Sequence, residues 1–144
     1  MTIKPDFPLQ ETAEPRGQRA DGTKYRVLVV DDSLFIKKHL EQILTSEGFE
    51  VVDTATDGQE AVQKYQQLHP DVDLVTLDIT MPKMDGIAAL QQIMNFDSNA
   101  KVVMVSALGK QDLVKQALVL GAKGYVVKPL EREKVLERIL AVID

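Results

Sequence analysis

Four short apolar runs in this chain each lead into a side chain capable of chemistry. Val27-Leu28-Val29-Val30 leads into Asp31 and Asp32, Leu74-Val75-Thr76-Leu77 into Asp78, Val102-Val103-Met104-Val105 into Ser106, and Tyr125-Val126-Val127 into Lys128. Gathered together, three carboxylates repel one another and raise one another's pKa unless a cation sits among them. They offer oxygen alone, so the fitting ion is hard, Mg2+ or Mn2+, which accepts one or two carboxylates, backbone oxygen and water. An ion held that sparsely keeps positions open for phosphate oxygens. Lys128 then supplies a point charge and Ser106 a hydrogen-bond donor to the same phosphoryl group. A carboxylate can itself be the nucleophile, giving an aspartyl phosphate, while metal and lysine offset charge on the equatorial oxygens of an in-line transfer.

Taken singly, none of these residues says much. Asp31 and Asp32 suit a helix N-terminus, Asp78 suits the start of a loop, and Lys128 before Pro129 is an ordinary turn lysine. Their joint placement at strand ends is what carries meaning. In an open parallel sheet, ligands bind beyond the carboxyl ends of the strands, where the winding direction reverses. Competing motifs are weak: the chain has neither a P-loop nor a dinucleotide fingerprint. Asp71-Val72-Asp73-Leu74-Val75 matches the D-x-D-x-[TV] pattern of haloacid-dehalogenase-like phosphatases, but that motif follows an apolar strand and here a strand comes after it. His39 and His69 read as solvated or turn histidines, and Met81 and Met84 as local packing around Pro82.

The elements that must position these side chains alternate from Tyr25 onward. Between the β-branched runs, a fifth of which is Val51-Val52, lie helical stretches with recognisable caps. Leu34, Ile36, Leu40, Ile43 and Leu44 approximate one face, opened by Ser33 and closed by Gly48. Asp57 with Glu60 forms a capping-box-like start. Asp85 caps a third helix running through Ile87, Leu90, Gln91 and Met94. A fourth carries Leu113, Val114, Ala117 and Leu118 and stops at Gly121; a fifth carries Val135, Leu136, Ile139 and Leu140. Five strand–helix units are too few for an eight-stranded barrel. Strands that are apolar throughout fit a parallel sheet covered on both faces. Right-handed crossovers then leave an α/β doubly wound open sheet as the simplest architecture.

Composition agrees. A length of 144 residues suits one domain with a tail, and 17 Lys+Arg against 22 Asp+Glu argue against sequence-independent nucleic-acid binding. No cysteine is present, which excludes disulfides and thiolate metal sites. No apolar run approaches a membrane span and the start is too polar for a secretory signal, so a soluble cytoplasmic protein is expected. Residues 1–24 hold three of the six prolines and no sustained apolar period, and read as a flexible N-terminal extension that Ile3, Phe7 and Leu9 anchor weakly at most.

These motifs, in this order, resemble the receiver domain of bacterial two-component response regulators. The likeness rests on V-V-D-D-S at 29–33, D-G-Q-E-A at 57–61, L-D-I-T-M-P-K-M-D-G at 77–86, S-A at 106–107, G-A-K-G-Y at 121–125 and K-P-L at 128–130. It covers residues 25–144 and implies a five-stranded parallel sheet of order 2-1-3-4-5 with helices on both faces. It implies that Asp78 is the phosphoacceptor, charged by a histidine kinase. Asp32 and Asp78 would ligate Mg2+ directly, with Asp31 through water and the Thr80 carbonyl as a further ligand. Ser106 and Lys128 would bind the phosphoryl group, Tyr125 would be the switch aromatic, and Lys128–Pro129 would be cis. Such a domain catalyses only its own phosphorylation and dephosphorylation.

The chain ends with the fifth helix, so the expectation is a monomeric stand-alone receiver of the chemotaxis kind. Its implied partners are a CheA-like histidine kinase, a FliM-like flagellar switch protein and a phosphatase. The partner face would include Gln111, Val114, Leu118, Tyr125 and Arg138. A phosphorelay intermediate serving a histidine phosphotransfer protein is the alternative. Thr80 and Leu108 depart from the family's common pattern at positions bordering the path of hydrolytic water, which leaves the phosphate lifetime open.

Overall fold

The computed structural model describes residues 15–143. Five strands alternate with five helices: β1 Arg26–Val30, α1 Leu34–Ser46, β2 Glu50–Ala55, α2 Gly58–Leu68, β3 Leu74–Asp78, α3 Gly86–Phe96, β4 Val102–Ser106, α4 Gln111–Leu120, β5 Gly124–Val127 and α5 Arg132–Ile143. All strand pairs are parallel and the sheet order is β2-β1-β3-β4-β5, as the resemblance implies.

Strand alternation splits the apolar side chains between two cores. Leu28, Val30, Val75, Leu77, Val102 and Met104 pack against α2, α3 and α4 through Tyr65, Leu90, Ile93 and Ala117. Val27, Val29, Val103, Val105 and Val126 pack against α1 and α5 through Leu40, Leu44, Leu136 and Ile139. Each such side chain fully removed from water stabilises the fold by roughly 1.5–3 kcal/mol. The sheet is thereby packed between helix layers on both faces.

The helix starts follow local chemistry. Ser33 caps α1 by accepting from Ile36 N (3.2 Å), and Asp85 caps α3 by accepting from Ala88 N (2.9 Å). At α2, Asp57 accepts from Glu60 N (2.9 Å), while Glu60 reaches back to Thr56 N (2.7 Å), one residue earlier than in the usual box. Gly48 and Gly121 follow α1 and α4 with positive φ, as the helix ends require. Two expected faces shift. Leu34 is 64% exposed, and the buried side of α1 instead includes Lys37, whose Nζ donates to Thr56 Oγ1 (3.0 Å). Gln91 is exposed and Ile93 takes the core position on α3, because Ala89, Leu90 and Ile93 face the sheet together.

Of the segment read as an extension, residues 1–14, with Ile3, Phe7 and Leu9, lie outside the described residues. Residues 15–24 lie against the domain. Gly17 N donates to Glu47 O (2.7 Å), Tyr25 N donates to Gly17 O (2.9 Å), and Gln18 and Lys24 form an antiparallel bridge. A Cβ on Gly17 would sit 2.5 Å from the Phe49 ring, so only glycine lets the segment lie this close. Among the described residues, no helix is long and apolar enough to cross a membrane.

Candidate functional site

Sheet hydrogen bonding continues past the strand ends and fixes the residues that follow. Asp31 N donates to Ala55 O (3.0 Å), Ile79 N to Val105 O (3.1 Å) and Lys128 N to Ser106 O (2.8 Å). Asp31, Asp78, Ser106 and Lys128 therefore emerge along one edge, beside the point between β1 and β3 where the winding reverses. Asp31, Asp32 and Asp78 each bring a carboxylate oxygen within 4.8 Å of the others. Lys128 Nζ lies 3.2 Å from Asp31 Oδ2 and 3.4 Å from Asp78 Oδ1. Lys128–Pro129 is cis, as the resemblance implies.

Burial makes this cluster electrostatically costly. Asp31 and Asp78 are enclosed and Asp32 faces solvent. Burial pushes the Asp78 carboxyl up to about 7; the charge on Asp31 pushes the same way, and Lys128 opposes it. Lys128 is raised too: burial pulls it down, but Asp78 and Asp31 outweigh that. Three acids against one lysine leave the site short of positive charge. The hydrogen bonding is also incomplete. Asp31 Oδ1 accepts from Ser33 N (2.9 Å), so this acid does help start α1. Its Oδ2, buried and paired with Lys128 by charge, receives no hydrogen bond. Three carboxylates sharing one ammonium, with oxygen as the only donor type among them, fit a hard divalent cation.

Backbone contacts set the loop after Asp78. Gly86 N donates to Ile79 O (2.6 Å), and a Cβ on Gly86 would lie 2.1 Å from Asp78 O. The start of α3 thus lies against the backbone of the central acid. In the sequence Gly86 stands only as part of the 77–86 motif, and its position directly after the Asp85 cap is the one local signal of this close approach. Lys83, at φ 65°, reaches toward Asp57 Oδ2 (3.7 Å). Thr80 is exposed in this loop, and Leu108 is 78% exposed in the loop after β4.

Ser106 is buried and its Oγ donates to its neighbour Ala107 O (3.0 Å) rather than toward Asp78. It lines one end of a groove of about 270 Å³ between α4 and β5, whose walls include Gln111, Val114, Leu118 and Tyr125. Val114 lines the groove but belongs to the core, whereas Gln111 and Leu118 are exposed. Arg138 of α5 lies over the half-buried Tyr125 ring at 5.5 Å. Asp71 and Asp73 stand before β3, away from this edge, where they pair with Arg26 and Arg19. His69 lies beside Asp97 (3.5 Å), and His39 against Phe35.

A doubly wound sheet with two buried acids, a third acid and a lysine at its switch point defines a class, and the comparisons agree. Residues 27–140 match the response regulator receiver domain, and the chain belongs to that family. It is 63% identical to chemotaxis protein CheY of Treponema pallidum over 143 residues, 99% of each chain. It is 48% identical to chemotaxis protein CheY of Bacillus subtilis over 115 residues, covering 80% of this chain and 94% of that one. The CheX-CheY-BeF3-Mg complex from Borrelia burgdorferi superposes with a TM-score of 0.87 at 58% identity, covering 90% of this chain and 97% of that one.

Proposed function

We propose that this chain is a CheY-like chemotaxis switch in which Asp78 accepts a phosphoryl group from a histidine kinase. The observation that carries this reading is the convergence of Asp31, Asp32, Asp78 and Lys128 at the switch point of the sheet. Asp78 presents a carboxylate oxygen to the phosphorus of a phosphohistidine. The O–P bond forms as the P–N bond breaks, and the electron pair leaves with the imidazole nitrogen. Asp31, Asp32, Asp78 and the Thr80 carbonyl would hold Mg2+, with Mn2+ the alternative. When bound, the ion supplies positive charge for the phosphoryl oxygens. Lys128 is already charged and already beside Asp78, so it meets the transferred group without rearrangement. Transfer and later hydrolysis are thus the domain's own chemistry, performed once on itself rather than on a released substrate.

The output follows from Ser106. Turning its Oγ from Ala107 O toward the phosphate opens space at the end of the groove that Tyr125 also lines, and the ring can move inward. Phosphorylation then biases an existing two-state equilibrium of the α4–β5–α5 face. That face would present Gln111, Leu118, Tyr125 and Arg138 to a FliM-like switch protein. A CheA-like kinase and a CheX-like partner, the latter suggested by the Borrelia complex, complete the proposed partners of a monomeric switch acting in the cytoplasm.

Incubation with acetyl phosphate and Mg2+ should phosphorylate the wild type, with acetate leaving, and beryllofluoride should bind it reversibly; Asp78→Asn should abolish both. Persistent stoichiometric labelling of the variant, read by intact mass, would remove the assignment. Transfer of the phosphate to a histidine phosphotransfer protein, with no gain in binding to a FliM-like protein, would favour the relay alternative.

A further inference from the structure

Arg16 has two carboxylate partners, and their positions give residues 15–24 a mechanical role. Its guanidinium bonds both oxygens of Glu47, Nε to Oε1 (3.0 Å) and Nη2 to Oε2 (3.0 Å). It also reaches both oxygens of Glu133, at 3.1 and 3.3 Å. Glu47 ends α1, and Glu133 lies in the first turn of α5. A second arginine closes the circuit: Arg132 donates to Ser46 Oγ (2.6 Å) and to Glu47 Oε2 (2.7 Å). The Arg16 guanidinium holds the Glu47 carboxyl down to about 2, outweighing burial. Single exposed ion pairs contribute little, but a bidentate network of four charges with a side-chain hydroxyl is the case where geometry makes them count.

The place of this network matters because of what precedes it. Only Pro129, Leu130 and Glu131 separate Lys128 from Arg132. Leu130 is buried in the α1–α5 core, and Val135 N donates to Glu131 O (3.0 Å), so the link is short and held at both ends. Fixing the start of α5 therefore restricts the backbone that aims Lys128 at Asp31 and Asp78.

We propose that Arg16 is a positioning residue for the phosphoryl site: it braces the start of α5 against the end of α1 and so holds Lys128 in place. The phosphorylation arm of this proposal rests on the switch reading above; the structural arm does not. Gly17, packed on Phe49, and Pro15, against Gly48, hold the brace to the domain.

The test uses the full chain with Arg16→Gln, and with Arg16→Lys, which keeps the charge without the fork. Arg16→Gln should slow phosphate uptake from acetyl phosphate roughly three- to tenfold while the half-saturating Mg2+ concentration moves less than about twofold. Arg16→Lys should recover part of the rate. Amide hydrogen exchange at Lys128 and Val135 should accelerate at least about threefold in Arg16→Gln, with Val30 and Leu77 unchanged. A segment that merely stabilised the fold would raise exchange throughout and leave the rate alone. Unchanged exchange at Lys128 and Val135 overturns the brace, whether or not the wild type accepts phosphate. If the wild type accepts none, the switch reading fails separately, and exchange at Lys128 still decides the brace.

Discussion

Asp78 is held in a medium that disfavours the ionised form that the proposed nucleophilic role needs. An Asp in the unfolded chain titrates near 3.8, whereas burial and the neighbouring Asp31 charge move this one to about 7 in the fold. Between those values the folded protein keeps a proton that the unfolded chain has lost. Unfolding then releases a proton, so the Asp78 contribution to stability is fully present below about 4, falls as pH rises toward 7, and levels off above. Ionising Asp78 in the metal-free protein thus costs on the order of 2–4 kcal/mol at pH 8. Glu47 runs the other way, but its depressed pKa places its loss of stability below the range of interest. Urea unfolding in metal-free buffer should show the wild type less stable at pH 8 than at pH 5. Asp78→Asn should remove most of that difference and stabilise the protein at pH 8. An unaltered difference in the variant would show that Asp78 is not the titrating group.

At the scale of elements, the fit between the start of α3 and the end of β3 decides where Asp78 sits. Gly86 occupies the contact, and any side chain there meets the Asp78 carbonyl and the Ile79 backbone, neither of which is a flexible group that can yield. Gly86→Ala should therefore move the loop or the helix, costing about 2–4 kcal/mol by denaturant unfolding. Phosphate uptake should fall as well, since the acid's own backbone must shift. A variant with wild-type stability and wild-type uptake would mean that α3 can slide without disturbing the acid.

Over the whole molecule, charge is the dominant theme. The chain carries −5 overall, and three of its acids cluster at a single edge, where one lysine pairs with two of them. Such a cluster stores repulsion that folding must overcome, and a bound divalent ion relieves it in the folded state alone. Mg2+ should raise the melting temperature in a concentration-dependent way. At one hundred times its dissociation constant the gain is about 2.7 kcal/mol. Differential scanning calorimetry with and without Mg2+ checks this, and Asp32→Asn should shrink the effect. An identical melting curve at millimolar Mg2+ would argue against ion binding at the acidic edge. The ionic circuit of Arg16, Glu47, Arg132 and Glu133 works at the same scale, tying the first described residues to the last helix.

Much of this was legible in the chain itself. Apolar runs ending in Asp31, Asp78, Ser106 and Lys128 specify strands covered on both faces and place those residues at one edge, because strand ends in a parallel sheet share a side. Ser33, Asp57 and Asp85 mark helix starts because capping is local chemistry. Other features depend on contacts distant in sequence. Leu34 belongs to the apolar spacing of α1 but lies in solvent, since the turn of the helix against β2 buries Lys37 instead. Residues 15–24 look like a loose tail by composition, yet Gly17 fits under Phe49 and Arg16 finds two carboxylates, one of them 117 positions away. Local pattern therefore determined which groups could do chemistry and on which edge they stand. Only tertiary packing decided how deeply Asp78 is buried, which oxygen of Asp31 meets Lys128, and what holds the start of α5, because each of these depends on neighbours that the chain brings close only by folding.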